Sequence, residues 1–265
     1  MTNNPKTLAV RYVKPYVSPA AWQRLRALVR PAGARRAQEG PRDLSSMSLT
    51  DLAIHFGTDK WGSHRYTQHY ERHLRHLRHR KFTLLEIGIG GYARAGEGGA
   101  SLRMWKHFFP KAQILGLDVE DKSFVNEHRI QAYRGSQTNK SLLKTIAQSA
   151  GDLRVVIDDG SHRPEHIRHT FEIMFPLLPS GGVYAIEDTQ TSYWPRYGGS
   201  KDLDNPSTTM ALVKSLVDGL NYEEYHDEDY RPTYAEKHVV AVHCYHNLVF
   251  IIKGDNAEGS SGPHT

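Results

Sequence analysis

Two short runs hold the residues best suited to chemistry: Val156-Ile-Asp158-Asp159-Gly-Ser-His162 and Ala185-Ile-Glu187-Asp188. In each, an apolar stretch of strand type ends in paired carboxylates. At the carboxyl ends of two strands of an open parallel sheet, all four acids would converge on one crevice. Close carboxylates repel and raise one another's pKa values unless a cation compensates. The all-oxygen set Asp159, Glu187 and Asp188 suits a hard ion such as Mg²⁺, which keeps positions open for water or substrate oxygens. His162, just past Asp159, has an ordinary pKa of ~6.5, so it would be mostly neutral at neutral pH and able to act as a general base. The competing reading makes some of these acids helix caps, as Asp159 could be ahead of Pro164, and makes His162 one structural histidine among 16.

A second constellation is Leu84-Leu-Glu86-Ile-Gly88-Ile-Gly90, an apolar run ending in glycines whose missing side chains let a ligand approach the backbone. Gly88-Ile-Gly90-Gly-Tyr-Ala93 formally satisfies the dinucleotide fingerprint. The insertion Ala95-Gly-Glu-Gly-Gly-Ala100 postpones the next helix, however, so no helix N-terminus faces a pyrophosphate directly. Glu86, two residues before the first glycine, matches the E-x-G-x-G strand and loop of S-adenosylmethionine-dependent methyltransferases, whose sulfonium cofactor has no pyrophosphate. Asp118 closes the next apolar run, Gln113-Ile-Leu-Gly-Leu-Asp118, where a carboxylate can accept ribose hydroxyl protons in either cofactor class. Arg134-Gly-Ser136-Gln137 follows a third run, at the place where methyltransferases of this topology contact the adenine.

Elements must hold these residues in place, and the chain alternates accordingly. Ser48-Leu-Thr-Asp51 starts a helix that Gly57 stops. Strands are predicted at 82–87, 113–118, 130–133, 153–157 and 182–186, and helices at 101–109, 140–150 and 164–174. Short apolar strands separated by helices mean an α/β fold: a Rossmann-like, mostly parallel sheet with helices on both faces. Val239-Val-Ala-Val-His243 and Leu248-Val-Phe-Ile-Ile252, bridged by Cys-Tyr-His-Asn, read as an antiparallel hairpin on one edge. Residues 1–46 carry five prolines and one amphipathic stretch at 20–29, and read as an extension with one helix. Residues 47–253 form the domain, and 254–265 read as a disordered tail.

With 265 residues, 38% of them hydrophobic, the chain is long enough for one large core plus extras. A single cysteine, Cys244, excludes a disulfide framework and Cys-rich zinc modules, and suits a reducing cytoplasm. A formal charge of +5, spread along the chain, does not call for nucleic acid. No apolar run approaches the ~18–20 residues of a membrane span, and the N-terminus lacks the apolar core of a secretory signal. A cytoplasmic protein is expected, and the apolar face at 20–29 predicts a homo-oligomer.

Several long motifs match one family in order: Gly57-Thr-Asp-Lys-Trp-Gly62, His69-Tyr-Glu71, Leu85-Glu-Ile-Gly-Ile-Gly-Gly91, Ser101-Leu-Arg-Met-Trp-Lys106, Ile157-Asp-Asp-Gly-Ser-His162 and Ile186-Glu-Asp-Thr-Gln-Thr-Ser-Tyr-Trp194. Over residues 48–253 the chain resembles the metal-dependent sugar O-methyltransferases of actinobacteria. Members act on macrolide deoxysugars, as in mycinamicin biosynthesis, and on mycobacterial methylated polysaccharides. The resemblance implies a class I S-adenosylmethionine methyltransferase, with Asp159, Glu187 and Asp188 holding Mg²⁺ and His162 on the family's base. It puts cofactor contacts at Thr58, Gly88, Ser101, Asp118, Gln137 and Asp158, beside Glu86, Gly90 and Ser136 from the motif reading. Acceptor choice would lie in Tyr193-Trp-Pro-Arg-Tyr-Gly-Gly199 and 202–210, with Tyr193, Trp194 and Tyr197 stacking on pyranose faces. A saccharide or glycoside acceptor follows, with a lean toward methylmannose polysaccharide because the larger macrolide enzyme's auxiliary domain is not recognisable in residues 1–46. Catechol O-methylation, a nicotinamide-dependent sugar oxidoreductase and a non-catalytic sugar-binding scaffold are the competing readings.

Overall fold

The computed structural model describes residues 43–94, 96–260 and 262. The extension helix expected at 20–29 lies outside the described residues. Seven strands form one sheet: β1 (Thr83–Ile87), β2 (Gln113–Asp118), β3 (Ile130–Arg134), β4 (Leu153–Asp158), β5 (Val183–Glu187), β6 (Val239–Tyr245) and β7 (Leu248–Lys253). Their order is β3-β2-β1-β4-β5-β7-β6. Strands β1 to β5 are parallel, while β7 runs antiparallel to β5 and β6 closes the edge as its hairpin partner. The hairpin turn is tighter than predicted. Cys244 and Tyr245 are still in the β6 ladder, and only His246 and Asn247 make the connection, with Asn247 left-handed at φ 64°, a conformation its short side chain tolerates.

Ser48 caps α1 (Leu49–Phe56) by accepting from the Asp51 N–H, and Gly57, left-handed, returns its N–H to the Ala53 carbonyl. Helices α2 (Thr67–Leu74) and α3 (Ala100–Phe108) join α1 on one face of the sheet. Helices α4 (Lys140–Ser149), α5 (Pro164–Met174) and α6 (Thr209–Asp218) cover the other. A short α7 (Tyr234–His238), closed by a capping box between Thr233 and Glu236, leads into β6. Side chains alternate across the sheet: Leu84, Val155, Ile157, Val183 and Ala185 fill the α1–α3 core, whereas Leu85, Ile87, Val156, Tyr184 and Ile186 fill the other.

The tail departs from the expected disorder at least through residue 256. The Asn256 side-chain amide donates to the carbonyls of Gly219, Leu220 and Glu236, satisfying acceptors at the end of α6 and within α7. No helix among the described residues is long and apolar enough to cross a membrane.

Candidate active site

The same alternation sorts the acids. Glu86 and Glu187 share the α1–α3 face with their strand neighbours Leu84 and Ala185, and Asp158 points to the opposite face. Asp159 lies one residue beyond β4, its N–H donating to the Ile87 carbonyl. A cavity of about 690 Å³ opens beyond these strand ends, within the range of small-molecule sites. Thr58, Gly88, Gly90, Ser101, Asp118, Ser136, Gln137, Asp159, His162 and Asp188 line it. Glu86, Asp158 and Glu187 do not, and neither do Tyr193, Trp194 and Tyr197.

The glycine loop makes the cavity's cofactor half. At Gly88, φ 84°, a Cβ would sit 2.1 Å from the Asp159 carbonyl oxygen, so only glycine lets the β1 and β4 ends approach this closely. A Cβ at Gly90 would meet nothing within 4 Å, leaving open space where a ligand can lie on the backbone. Asp118 stitches the loop to β2: its Oδ2 accepts from the Ile89 N–H at 3.1 Å and its Oδ1 from Glu120 at 2.9 Å. Each oxygen keeps a further lone pair for a ribose hydroxyl. Buried Lys122 clamps the loop from behind, donating to the carbonyls of Tyr92 and Glu97. Gln137 is held by its neighbours: its amide donates to Asp158 and Thr170 and accepts from the Ser161 N–H. Asp158 therefore acts behind the wall, as does the Tyr184 hydroxyl that also donates to it. Burial pushes the Asp158 carboxyl up to about 6. Ser136, in the cavity lining, is bonded through its hydroxyl to Thr138 of its own loop.

At the other end the acids cluster around a lysine that sequence reasoning did not single out. Lys60, only 1% exposed, places Nζ 2.6 Å from Glu187 Oε1, 2.9 Å from Glu86 Oε1 and 3.0 Å from Asp159 Oδ2. Burial by itself would lower its pKa, but Asp159, Glu187 and Glu86 outweigh that and hold it well above its ordinary value. Glu187 also accepts from the Tyr70 hydroxyl at 2.6 Å, and Glu86 from the Trp105 indole at 3.2 Å. Burial raises Glu187 to about 7 against the pull of Lys60, and burial followed by Glu187 raises Asp159.

Asp188 faces the cavity between two histidines, with Oδ2 3.8 Å from His162 Nε2 and Oδ1 3.6 Å from His64 Nδ1. The Tyr66 hydroxyl donates to it at 2.9 Å. Burial pushes Asp188 upward, yet His64 and His162 hold it below the usual carboxylate range. Burial lowers the pKa of His162, keeping its ring neutral near pH 7. Asp159, His162 and Asp188 offer ligand atoms within 4.8 Å of one another, as do Glu86, Asp159 and Glu187. His162 Nδ1 is buried with no hydrogen-bond partner among the described residues. A hard divalent ion fits the cavity-facing oxygens.

The aromatic loop follows directly on Asp188, through a short 3-10 helix at Thr189–Tyr193. Arg196 lies over the Trp194 and Tyr197 rings at 5.0 and 5.2 Å, and Tyr193 is half exposed. The four missed residues Lys60, His64, Tyr66 and Tyr70 all lie between α1 and the middle of α2. Lys60 lies in the Gly57-Thr-Asp-Lys-Trp-Gly62 motif and Tyr70 in His69-Tyr-Glu71, both read as family matches rather than as chemistry, whereas His64 and Tyr66 fall in neither.

A glycine-lined cavity at the switch point of a 3-2-1-4-5-7-6 sheet, with an acid at the end of β2, defines the class: this is the fold of the S-adenosylmethionine-dependent methyltransferases. No family model matches the chain. It is 49% identical over 214 residues to demethylmacrocin O-methyltransferase of Streptomyces fradiae, 80% of this chain and 54% of that one. Against mycinamicin VI 2''-O-methyltransferase of Micromonospora griseorubida the identity is 44% over the same shares. The chain spans about half the length of the curated relatives it matches. Among solved structures, the MycE methyltransferase of mycinamycin biosynthesis in complex with Mg and SAH superposes with a TM-score of 0.75 at 42% identity, covering 82% of this chain and 57% of that one. Its complex with Mg, SAH and mycinamycin VI gives 0.78 at 39% identity, covering 99% and 65%. The chain is thus a homologue of the actinobacterial sugar O-methyltransferases.

Proposed function

We propose that the chain catalyses S-adenosylmethionine- and Mg²⁺-dependent methylation of a sugar hydroxyl on a glycoside. The observation that supports this best is the single cavity that joins the glycine loop and Asp118 at one end to Asp159, His162 and Asp188 at the other. In this reading Gly88, Gly90, Ser101, Asp118 and Ser136 bind the cofactor, while Asp158 holds Gln137 in the wall. Asp159, Glu187 and Asp188 would hold the ion, which when bound supplies positive charge that acidifies and orients an acceptor hydroxyl. His162 takes the proton of that hydroxyl on Nε2, since burial keeps the ring unprotonated and Asp188 at 3.8 Å stabilises the imidazolium that results. Tyr193, Trp194 and Tyr197 form an acceptor wall beside the cavity, with Arg196 fixing two of the rings.

The relatives favour a small glycoside over the mannose polysaccharide that residues 1–46 suggested. One, from Streptomyces olivaceus, is named for a rhamnosyl tetracenomycin-C and another, from Streptomyces antibioticus, for an L-olivosyl-oleandolide. The test is release of S-adenosylhomocysteine from purified protein, with Mg²⁺ or EDTA, over rhamnosides, mannosides, a macrolide glycoside and a catechol. Metal-dependent release with a glycoside is the expected result; release with the catechol alone would replace the sugar reading. The homo-oligomer is part of the proposal, resting on the apolar face read at 20–29, and sedimentation velocity of the full chain tests it.

A further inference from the structure

The carboxylates around the site form two overlapping groups that share Asp159. The inner one, Glu86, Asp159 and Glu187, lies toward the α1–α3 core. The outer one, Asp159, His162 and Asp188, faces the cavity. Either has ligand atoms close enough together for a metal, and two ions on adjoining sites sharing a carboxylate would make a two-metal centre. The inner position is already filled. Lys60 Nζ stands 2.6, 2.9 and 3.0 Å from one oxygen of Glu187, Glu86 and Asp159; it donates hydrogen bonds to Glu187 and Asp159, and it compensates Glu86 as an ion pair without a hydrogen bond. Tyr70 and Trp105 occupy further lone pairs of Glu187 and Glu86. Of the outer group only the shared Asp159 meets Lys60; among the described residues no lysine or arginine pairs with Asp188, whose neighbours are His64 and His162, and His162 Nδ1, like Glu86 Oε1 in the inner group, is buried without a hydrogen-bond partner.

We propose that Lys60 is a positioning residue that serves as the permanent cation of the inner group. It holds Glu187 behind the cavity wall and Asp159 in its lining, and limits the protein to one exchangeable divalent ion, on the cavity side. This rests on the metal-dependent reading above. An ammonium cannot be lost to a chelator or exchanged with solvent, so the inner acids stay compensated and ordered whether or not the outer ion is bound. Confining the ion to the cavity side also keeps its open positions toward the acceptor rather than toward the core.

The experiment counts Mn²⁺ by electron paramagnetic resonance titration of the full chain with SAH bound, in wild type, Glu86→Gln, Lys60→Met and Lys60→Met/Glu86→Gln. The double variant loses one positive and one negative charge and so keeps the net charge of the cluster if Lys60→Met alone does not fold. Wild type should bind one Mn²⁺ per chain. Glu86→Gln should bind it within about threefold of wild-type affinity, because the ion does not use Glu86, whereas loss of a true ligand or its supporting partner costs about tenfold or more. Lys60→Met should take up a second Mn²⁺ and show the spin–spin broadening of a close pair, while the double variant, which lacks one inner ligand, should bind its single Mn²⁺ more weakly than wild type because Asp159 and Glu187 are no longer held.

One Mn²⁺ of unchanged affinity in the double variant, no binding in it, or a tenfold loss in Glu86→Gln would each overturn the role given to Lys60 while leaving the metal reading intact. Absence of Mn²⁺ binding in wild type would overturn the metal reading and this inference together.

Discussion

His162 and Asp188 both hold left-handed backbone, at φ 57° and 54°, a conformation that costs a residue with a side chain about 1–3 kcal/mol and persists only where its surroundings impose it. Both follow strands whose positions are fixed by the parallel ladder, and the unusual turns aim the two side chains at each other across the cavity mouth. If His162 is the base, His162→Ala should lower turnover by about 10²–10⁴ while SAH binding by calorimetry stays at the wild-type value; full turnover in that variant removes the role. Asp118 makes a separable prediction. Its carboxylate holds the Ile89 N–H of the glycine loop and the Glu120 N–H of its own turn, and hydrogen bonds to a charged group contribute about 1.5–3 kcal/mol, so Asp118→Ala should weaken SAH binding by roughly tenfold or more with little effect on Mn²⁺ binding. Equal SAH affinity in variant and wild type would show that the loop is ordered by other contacts. The acids of this site were legible because strand-terminal carboxylates leave a local pattern. Lys60 was not, because its partners lie 26, 99 and 127 positions away, and nothing in the run Gly57 to Gly62 specifies that its side chain turns into the core.

At the scale of elements, the packing of α2 on β6 is the feature most exposed to pH. His73 of α2 lies against His243, Tyr245 and Phe250 of the hairpin, with its Nε2 2.9 Å from the Tyr245 hydroxyl, while His69 stacks on Tyr245 at 3.8 Å. Burial, then His243, Arg72, His69 and His76, lowers the His73 pKa to about 4 from its ordinary 6.5. The unfolded chain therefore binds this proton more tightly than the folded one. The resulting stabilisation is full above about pH 6.5 and is lost as pH falls from there through 4. Urea midpoints at pH 7 and pH 4.5 should separate more for wild type than for His73→Gln; parallel losses in the two proteins would dismiss the cluster as a pH-sensitive contact. Because α2 also carries Tyr70, its loosening reaches the acids directly. The elements themselves were largely readable. Mostly apolar runs gave β1, β2, β4 and β5, and a proline at its first position marked α5. Helices α2 and α6 escaped because each buries only three residues, Thr67, Tyr70 and Leu74 in one and Thr209, Val213 and Leu216 in the other, a stripe too narrow to stand out among polar neighbours.

At the scale of the whole molecule, the site draws on both cores of the sheet at once. Tyr66, Tyr70, Lys60 and Glu86 come from the α1–α3 side, Asp158, Gln137 and Tyr184 from the other, and the Tyr66 hydroxyl reaches the hairpin through the Asn247 carbonyl at 3.0 Å. A ligand lying across β1, β2 and β4 therefore touches residues that come together only when the whole sheet is formed, and it has no counterpart site in the unfolded chain. Under that condition, ligand at a hundredfold excess over its Kd adds about 2.7 kcal/mol to folding stability. For a domain of this size each kcal/mol raises Tm by roughly 2–4 °C, so saturating SAH should move the midpoint by roughly 5–11 °C. Calorimetric scans with and without SAH measure it. A shift of that size with one transition means that cofactor site and fold are one cooperative unit. If SAH binds by titration calorimetry at this excess yet the main transition does not move, the glycine loop and its neighbours must open independently of the sheet, and the coupling drawn through Asp118 and Lys122 fails.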